Sequence, residues 1–235
     1  MLLDGPIAPM LATPGQVPPS GGEWVLEPKW DGWRAIAHVT PDGPRIFTRH
    51  GKGHHRRLLA LNAALVELPP GTVLDGELVC LQPIEGGRVR CRFDRLSGFM
   101  IRPGPHRPAD GLTVTLVAFD ALAVAGADLR AQPWHERRKQ LERLLADATG
   151  PLRLTPVLAS SAAVHDALVA DGWEGTVAKR VAGRYRCGHR TATWIKLKSP
   201  AAVERDRRRV AASLRRTADR RPAEAGLTRL PAGYA

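Results

Sequence analysis

The chain has few cysteines, few tyrosines and phenylalanines, and few lysines among its cations. Cys80, Cys91 and Cys187 are the three cysteines, far apart and without a C-x-x-C pair. That spacing argues against a disulfide framework or a cysteine zinc site and leaves buried or incidental thiols. No run approaches the roughly eighteen uninterrupted apolar residues of a membrane span. The opening Met1-Leu2-Leu3-Asp4-Gly5-Pro6 lacks the basic and apolar regions of a signal peptide. A cytoplasmic protein with no membrane partner is therefore expected. Acidic residues are outnumbered, 23 against 35 Lys and Arg, for a formal charge of +12. This excess favours a polyanionic partner, because each phosphate neutralised by Arg or Lys releases condensed counterions.

Lysine is used sparingly: of the 35 basic residues only Lys29, Lys52, Lys139, Lys179, Lys196 and Lys198 are lysines. Four of them fall in three short segments, Glu27-Pro28-Lys29-Trp30-Asp31-Gly32-Trp33-Arg34, Glu174-Gly175-Thr176-Val177-Ala178-Lys179 and Trp194-Ile195-Lys196-Leu197-Lys198. An ammonium can lose its proton and attack an electrophile, whereas a guanidinium cannot. Lys29 is thus the first candidate nucleophile.

With 235 residues, 43% hydrophobic and 25% charged, the chain can build one sizeable core with an appendage. Strand-like runs occur at Trp24–Leu26, Ala35–Val39, Arg45–Thr48, Thr72–Leu81 and Leu112–Phe119. Turns are expected at Pro41-Asp42-Gly43-Pro44 and Glu85-Gly86-Gly87. Helices are expected from Arg57 to Leu68, behind Pro133 as a first helical residue, and from Ala162 to Ala170 with Ser161 as cap. These elements predict an α+β fold of mostly antiparallel sheets with flanking helices. From Ser199 to Ala235 there are nine arginines against four acidic residues, and 201–221 reads as a basic helix. Pro222, Gly226, Pro231 and Gly233 interrupt any continuation. The predicted division is a body over 1–199 and an Arg-rich tail over 200–235.

A lysine that attacks phosphorus must be partly deprotonated and fixed at the α-phosphate. By itself K-x-D-G at Lys29, Asp31 and Gly32 is equally a surface turn. Leu74-Asp75-Gly76-Glu77 and Glu174-Gly175 add two separated carboxylates, which suit a hard divalent cation bridging phosphate oxygens. Phe119-Asp120 ends a strand and offers an aromatic face for a base. Lys196 and Lys198, two apart on a strand, point to one side and could share a phosphate. Trp30, Trp33 and Trp194 read as core or interface aromatics, and Asp120 as a residue that orders its turn.

In order and spelling, K-x-D-G-x-R, Thr48-Arg49-His50-Gly51-Lys52, D-G-E, F-D, E-G-x-V-x-K and W-x-K-L-K resemble the successive motifs of covalent nucleotidyltransferases, most closely the ATP-dependent DNA ligases. The resemblance runs from about residue 9 to 199. It implies a nucleotidyltransferase (ATP-grasp-like) adenylation domain with ATP and Mg²⁺ or Mn²⁺ as cofactors. By the same resemblance Lys29 would carry AMP and Asp31 would assist the last step. Glu27 would read the adenine amino group and Phe119 would stack on the base. Arg34 and Glu77 would hold the ribose and neighbouring groups, and Glu77 and Glu174 would serve the metal. Arg190, Lys196 and Lys198 would contact phosphates, and Arg49 would meet the nucleotide or the nick 5′-phosphate. Arg184–Arg190 also resembles the basic loop of bacterial end-joining ligases.

Such ligases usually continue into an OB-fold, and the 37 residues after Lys198 are too short for a five-stranded barrel. The expectation is therefore a monomeric ligase acting on nicked or broken duplex DNA, with a repair partner as one source of the missing clamp. The alternatives are an RNA ligase-type nucleotidyltransferase and a degenerate nucleic-acid-binding remnant. Glu27 disfavours capping chemistry. The 28 residues before Lys29 leave no room for a nicotinamide-recognition domain.

Overall fold

The computed structural model describes residues 5–83, 89–101, 113–148 and 150–219. The expected Glu85-Gly86-Gly87 turn, residues 220–221 of the expected basic helix and the interruptions beyond it lie outside these. Twelve strands are described: β1 (Leu11–Gly15), β2 (Trp24–Pro28), β3 (Trp33–Thr40), β4 (Gly43–Thr48), β5 (Thr72–Pro83), β6 (Val89–Cys91), β7 (Thr113–Val124), β8 (Ala127–Asp128), β9 (Leu152–Leu154), β10 (Leu158–Ala159), β11 (Gly175–Arg180) and β12 (Arg190–Lys198). They form two sheets. The smaller has the order β1-β12-β11-β2-β10; the larger runs β4-β3-β5-β7-β8, with β6 added to β5 and β9 to β7. Pairing is antiparallel except for β1 with β12 and β7 with β9, so the mostly antiparallel expectation holds.

Five helices are described, α1 (Leu59–Val66), α2 (Phe93–Ile101), α3 (Trp134–Leu144), α4 (Ala162–Ala170) and α5 (Pro200–Asp219). The chain divides into two compact units at Ser199/Pro200, with α5 in the second. The helix expected over 57–68 is shorter. A 3-10 turn at His55–Arg57 precedes it, and Leu58 adopts φ −102°, ψ 52° while burying its side chain in the core. Pro133 is the cap of α3 and not its first helical residue, because its ψ of 155° is extended. Ser161 caps α4 as expected, its hydroxyl accepting from Val164 N at 3.2 Å. α2 was not legible from the sequence.

Strand β3 is buried on both faces, which a one-sided reading of alternation does not anticipate. Its Ala35, Ala37 and Val39 point to a cluster with Leu61 and Leu65 of α1, Leu96, Phe99 and Met100 of α2, and Leu141 of α3. Burying each such Leu contributes about 1.5–3 kcal/mol. On the opposite face of the sheet Ile36 of β3, Val73 of β5 and Phe119 of β7 enter a second cluster with Met10, Tyr185 and Trp194. Trp194 belongs to the smaller sheet, so this cluster joins the two sheets. β7 continues to Val124 and does not end at Phe119-Asp120 as expected. Register shifts beside Val73 and Asp75 bend β5 against it.

His38 sits in the middle of β3 with no exposed surface, and both ring nitrogens lack a partner. The Phe47 ring meets it edge-on at 5.3 Å. Burial, helped by Arg45, pushes its pKa down to about 4. The unfolded chain therefore binds a proton at His38 between about pH 6.5 and 4 that the folded one refuses. This contribution is complete above pH 6.5 and lost as the pH falls towards 4. We expect His38→Leu to flatten the acid limb of a denaturant-unfolding series by about 3 kcal/mol between those pH values. An identical slope in parent and variant would refute this assignment.

Candidate active site

The period of two along each strand assembles the site from two facing sheets. On the larger sheet Arg34 of β3 pairs with Glu77 of β5, which pairs with Val117 of β7, two residues before Phe119. On the smaller sheet Glu27 of β2 pairs with Val177 of β11, and Val177 pairs with Lys196 of β12. A cavity of about 280 Å³ lies between, lined by Glu27, Lys29, Arg34, Arg49, Glu77, Phe119, Lys179, Arg190, Trp194, Lys196 and Lys198, among others. Sequence-selected cofactor residues thus converge on one cavity. Asp31 and Glu174 do not line it.

Glycine is required where these segments approach one another. A Cβ on Gly32 would strike the Leu78 carbonyl, and one on Gly175, whose φ is +140°, would strike that of Leu197. Lys29 N donates to the Gly175 carbonyl at 2.9 Å, which ties the backbone of Lys29 to the E-G segment. Across that tie Lys29 Nζ donates to Glu174 Oε2 at 2.7 Å, and Lys198 Nζ lies 3.3 Å from Glu174 Oε1. Glu174 therefore stands behind the lysines. Burial pushes the Glu77 carboxyl up to about 7 against the pull of Arg34 and Lys29, and Glu174 adds to the rise.

Glu27 is buried; its Oε2 lies 2.8 Å from Lys179 Nζ, and its Oε1 has no partner. Burial raises the Glu27 pKa and lowers that of Lys179, each opposed by the other's charge. Lys179 Nζ also donates to the Phe119 carbonyl at 2.9 Å and lies 4.5 Å from that ring's centroid. Arg34 is held by Asp75 through two hydrogen bonds, of 2.5 and 2.6 Å, with its guanidinium 4.5 Å from the Phe119 centroid. Burial works against the Arg34 charge, but Asp75, with Tyr185 and Glu77, outweighs it and raises the pKa. Burial lowers the Lys196 pKa, reinforced by Lys198, Arg190, Lys29 and Arg49, so five cations line the same cavity.

Several residues escaped the sequence reading. Trp194 is a core aromatic as expected, but its place on the cavity wall was not foreseen, and the pairing of Lys179 with Glu27 gave no local signal. Tyr185 donates to Asp75 Oδ2 at 2.6 Å and accepts from Met10 N at 3.0 Å. Asp120, read as ordering a turn, instead binds Arg137 of α3 at 2.7 and 2.8 Å, with both side chains fully buried. Only the buried stripe of α3, in which Arg137 and Arg138 stand beside Trp134 and Leu141, could have flagged it.

A family model described as an ATP dependent DNA ligase domain matches residues 9–198. The chain belongs to this family. A probable DNA ligase of Streptomyces avermitilis is 36% identical over 82% of this chain, which spans 39% of that protein. The multifunctional non-homologous end joining protein LigD of Pseudomonas aeruginosa is 36% identical over 82% of this chain and 22% of its own length. The structure of mycobacterial DNA ligase D complexed with ATP and MES superposes with a TM-score of 0.66 at 33% identity, over 82% of this chain and 60% of that one. The chain thus spans less than two thirds of each of these relatives, and 39% or less of the two proteins. Among the described residues of this ligase domain no helix is long and apolar enough to cross a membrane.

The Asp120–Arg137 pair anchors α3 beneath Phe119, and Arg137 Nη1 also donates to the carbonyls of Gln132 and Gly183, at 2.6 and 3.0 Å. Arg137→Ala leaves Asp120 buried and unpaired, so we expect a loss of about 3–5 kcal/mol in urea unfolding. Asp120→Leu combined with Arg137→Met, which removes both charges, should recover most of it. A double variant no more stable than Arg137→Ala would sink this account.

Proposed function

We propose that this ligase domain joins DNA strands through a covalent AMP on Lys29. The observation that carries this is Lys29 Nζ, 2.7 Å from Glu174 on the wall of a cavity that also holds Arg49, Arg190, Lys196 and Lys198. Lys29 Nζ attacks the α-phosphorus of ATP. The N–P bond forms as the bond to pyrophosphate breaks, pyrophosphate leaves, and the Nζ proton passes to solvent. AMP then moves to the 5′-phosphate of a nick, with cleavage of the N–P bond and reprotonation of Lys29. The 3′-hydroxyl finally displaces AMP to make the phosphodiester, and Asp31 assists this step.

The cationic wall offsets the phosphate charge, and the unpartnered Glu27 Oε1 suits the adenine amino group, an N–H donor. Phe119 supplies the base face, and Arg34, with Glu77 opposite it, serves the ribose. Glu77 and Glu174 also fit a divalent cation such as Mg²⁺ or Mn²⁺. Glu174 and Lys29 both act on the Glu77 carboxyl. Among the described residues no three His, Cys, Asp or Glu cluster, which matches an ion completed by phosphate oxygens and water. Such an ion, when bound, neutralises charge on the phosphoryl group. The substrate is nicked or broken duplex DNA in repair, and the monomer suffices. The body over 1–199 performs the chemistry, and the arginines of 200–235 contact duplex phosphates.

ATP labelled at the α-phosphate should transfer label to the protein, and Lys29→Arg should abolish the transfer because a guanidinium stays protonated. Label retained by that variant would overturn the proposal, as would efficient labelling from GTP or NAD. Glu77→Ala and Glu174→Ala should each slow labelling by about 100-fold. Higher metal concentration should partly rescue whichever binds the ion directly; near-normal rates in both would make the carboxylates structural.

A further inference from the structure

Thr155 has no exposed surface and does not line the cavity, yet it reaches three parts of the site. Its N–H donates to the Ala118 carbonyl at 3.0 Å, one residue before Phe119. Its carbonyl accepts from Arg138 Nη2 of α3 at 2.9 Å. Its hydroxyl oxygen accepts from Trp30 Nε1, also at 2.9 Å. Trp30 follows Lys29 directly, and its ring meets Trp173 edge-on, with centroids 4.8 Å apart at 85°. Trp173 in turn precedes Glu174, the carboxylate that holds Lys29.

Two adjacent residues on one segment therefore contact two adjacent residues on another: Lys29 with Glu174, and Trp30 with Trp173. The first contact must open when a substrate or an ion enters; the second lies outside the reacting atoms and can persist. What keeps it in register is the Thr155 hydroxyl, because the indole N–H is a donor only and has this one acceptor. Resting on the reading of Lys29 as nucleophile, we propose that Thr155 is a positioning residue. Its oxygen locks the Trp30 indole against Trp173 and so fixes where Lys29 stands relative to Glu174 and to the α-phosphate.

Thr155→Val keeps the shape and removes the acceptor. The indole must then rotate towards water, and a shift of about 1 Å at a nucleophile costs about 100-fold in rate. In single-turnover labelling we expect a fall of about tenfold to a hundredfold in the rate constant, with the half-saturating ATP concentration changed by less than about twofold. Thr155→Ser should restore the rate. Trp30→Phe, a second variant in case Thr155→Val fails to fold, should reproduce the loss, and adding Thr155→Val to it should cost nothing more. The near-ultraviolet circular dichroism of the indole pair should change in Thr155→Val and return in Thr155→Ser, whatever the activity. An unaltered rate in Thr155→Val, no recovery with serine, additive losses with Trp30→Phe, or a loss confined to ATP affinity would each overturn the proposal. A parent protein that takes no label would instead refute the reading of Lys29, and the dichroism would still report on the indole lock.

Discussion

The facing of two sheets across an aromatic cluster is the constraint on which the rest depends. Trp194 from the smaller sheet lies 6.0 Å from Phe119 of the larger and 5.8 Å from Tyr185, edge-on in both cases. All three rings belong to the core that joins the sheets, and Trp194 and Phe119 also form part of the cavity wall. Their separation sets the spacing of every charged side chain on the two inner faces, because strand positions two apart must point the same way.

Charge inside that spacing is arranged so that each buried group has a counterpart, with few exceptions. Arg34 is taken up by Asp75, Lys179 by Glu27, Arg137 by Asp120 and Lys29 by Glu174. Such pairs do not by themselves make a fold more stable, since desolvation offsets much of the attraction. What they provide is a fixed orientation for each charged side chain. The exceptions are informative for the same reason: Glu27 Oε1 has no partner, and Glu77 is pushed up to about 7 by burial. Both face the cavity, and a buried acceptor without a donor is costly unless a ligand completes it.

The supporting groups come from outside the motifs. α3 contributes Arg137, which holds Asp120 next to Phe119, and Arg138, which holds Thr155, so two consecutive side chains of one helix support segments that reach the cavity. Asp75 supports Arg34, and Tyr185 supports Asp75. None of these contacts bridges residues close in sequence; Tyr185 and Asp75 are 110 apart. A scan for short patterns sees D-G-E and K-x-D-G-x-R as separate and cannot show that their side chains hold one another.

What the sequence determined by itself is the family and the class of fold. The sparing use of lysine, the glycines beside Lys29 and Glu174, and the period of two along the strands are local properties that any reader of the chain can recover. They suffice for the antiparallel sheets and for most side chains that reach the cavity. Only the tertiary structure decided that β3 is covered on both faces, that β7 runs on past Asp120, and that Glu174 stands behind Lys29 and not on the cavity surface. It alone decided the partners of Glu27, Arg34, Asp120 and Trp30. The physical reason is that a buried charge or indole N–H is satisfied by whichever group the packing brings within about 3 Å. That group is fixed by how the two sheets and α3 close on one another, not by any neighbour along the chain.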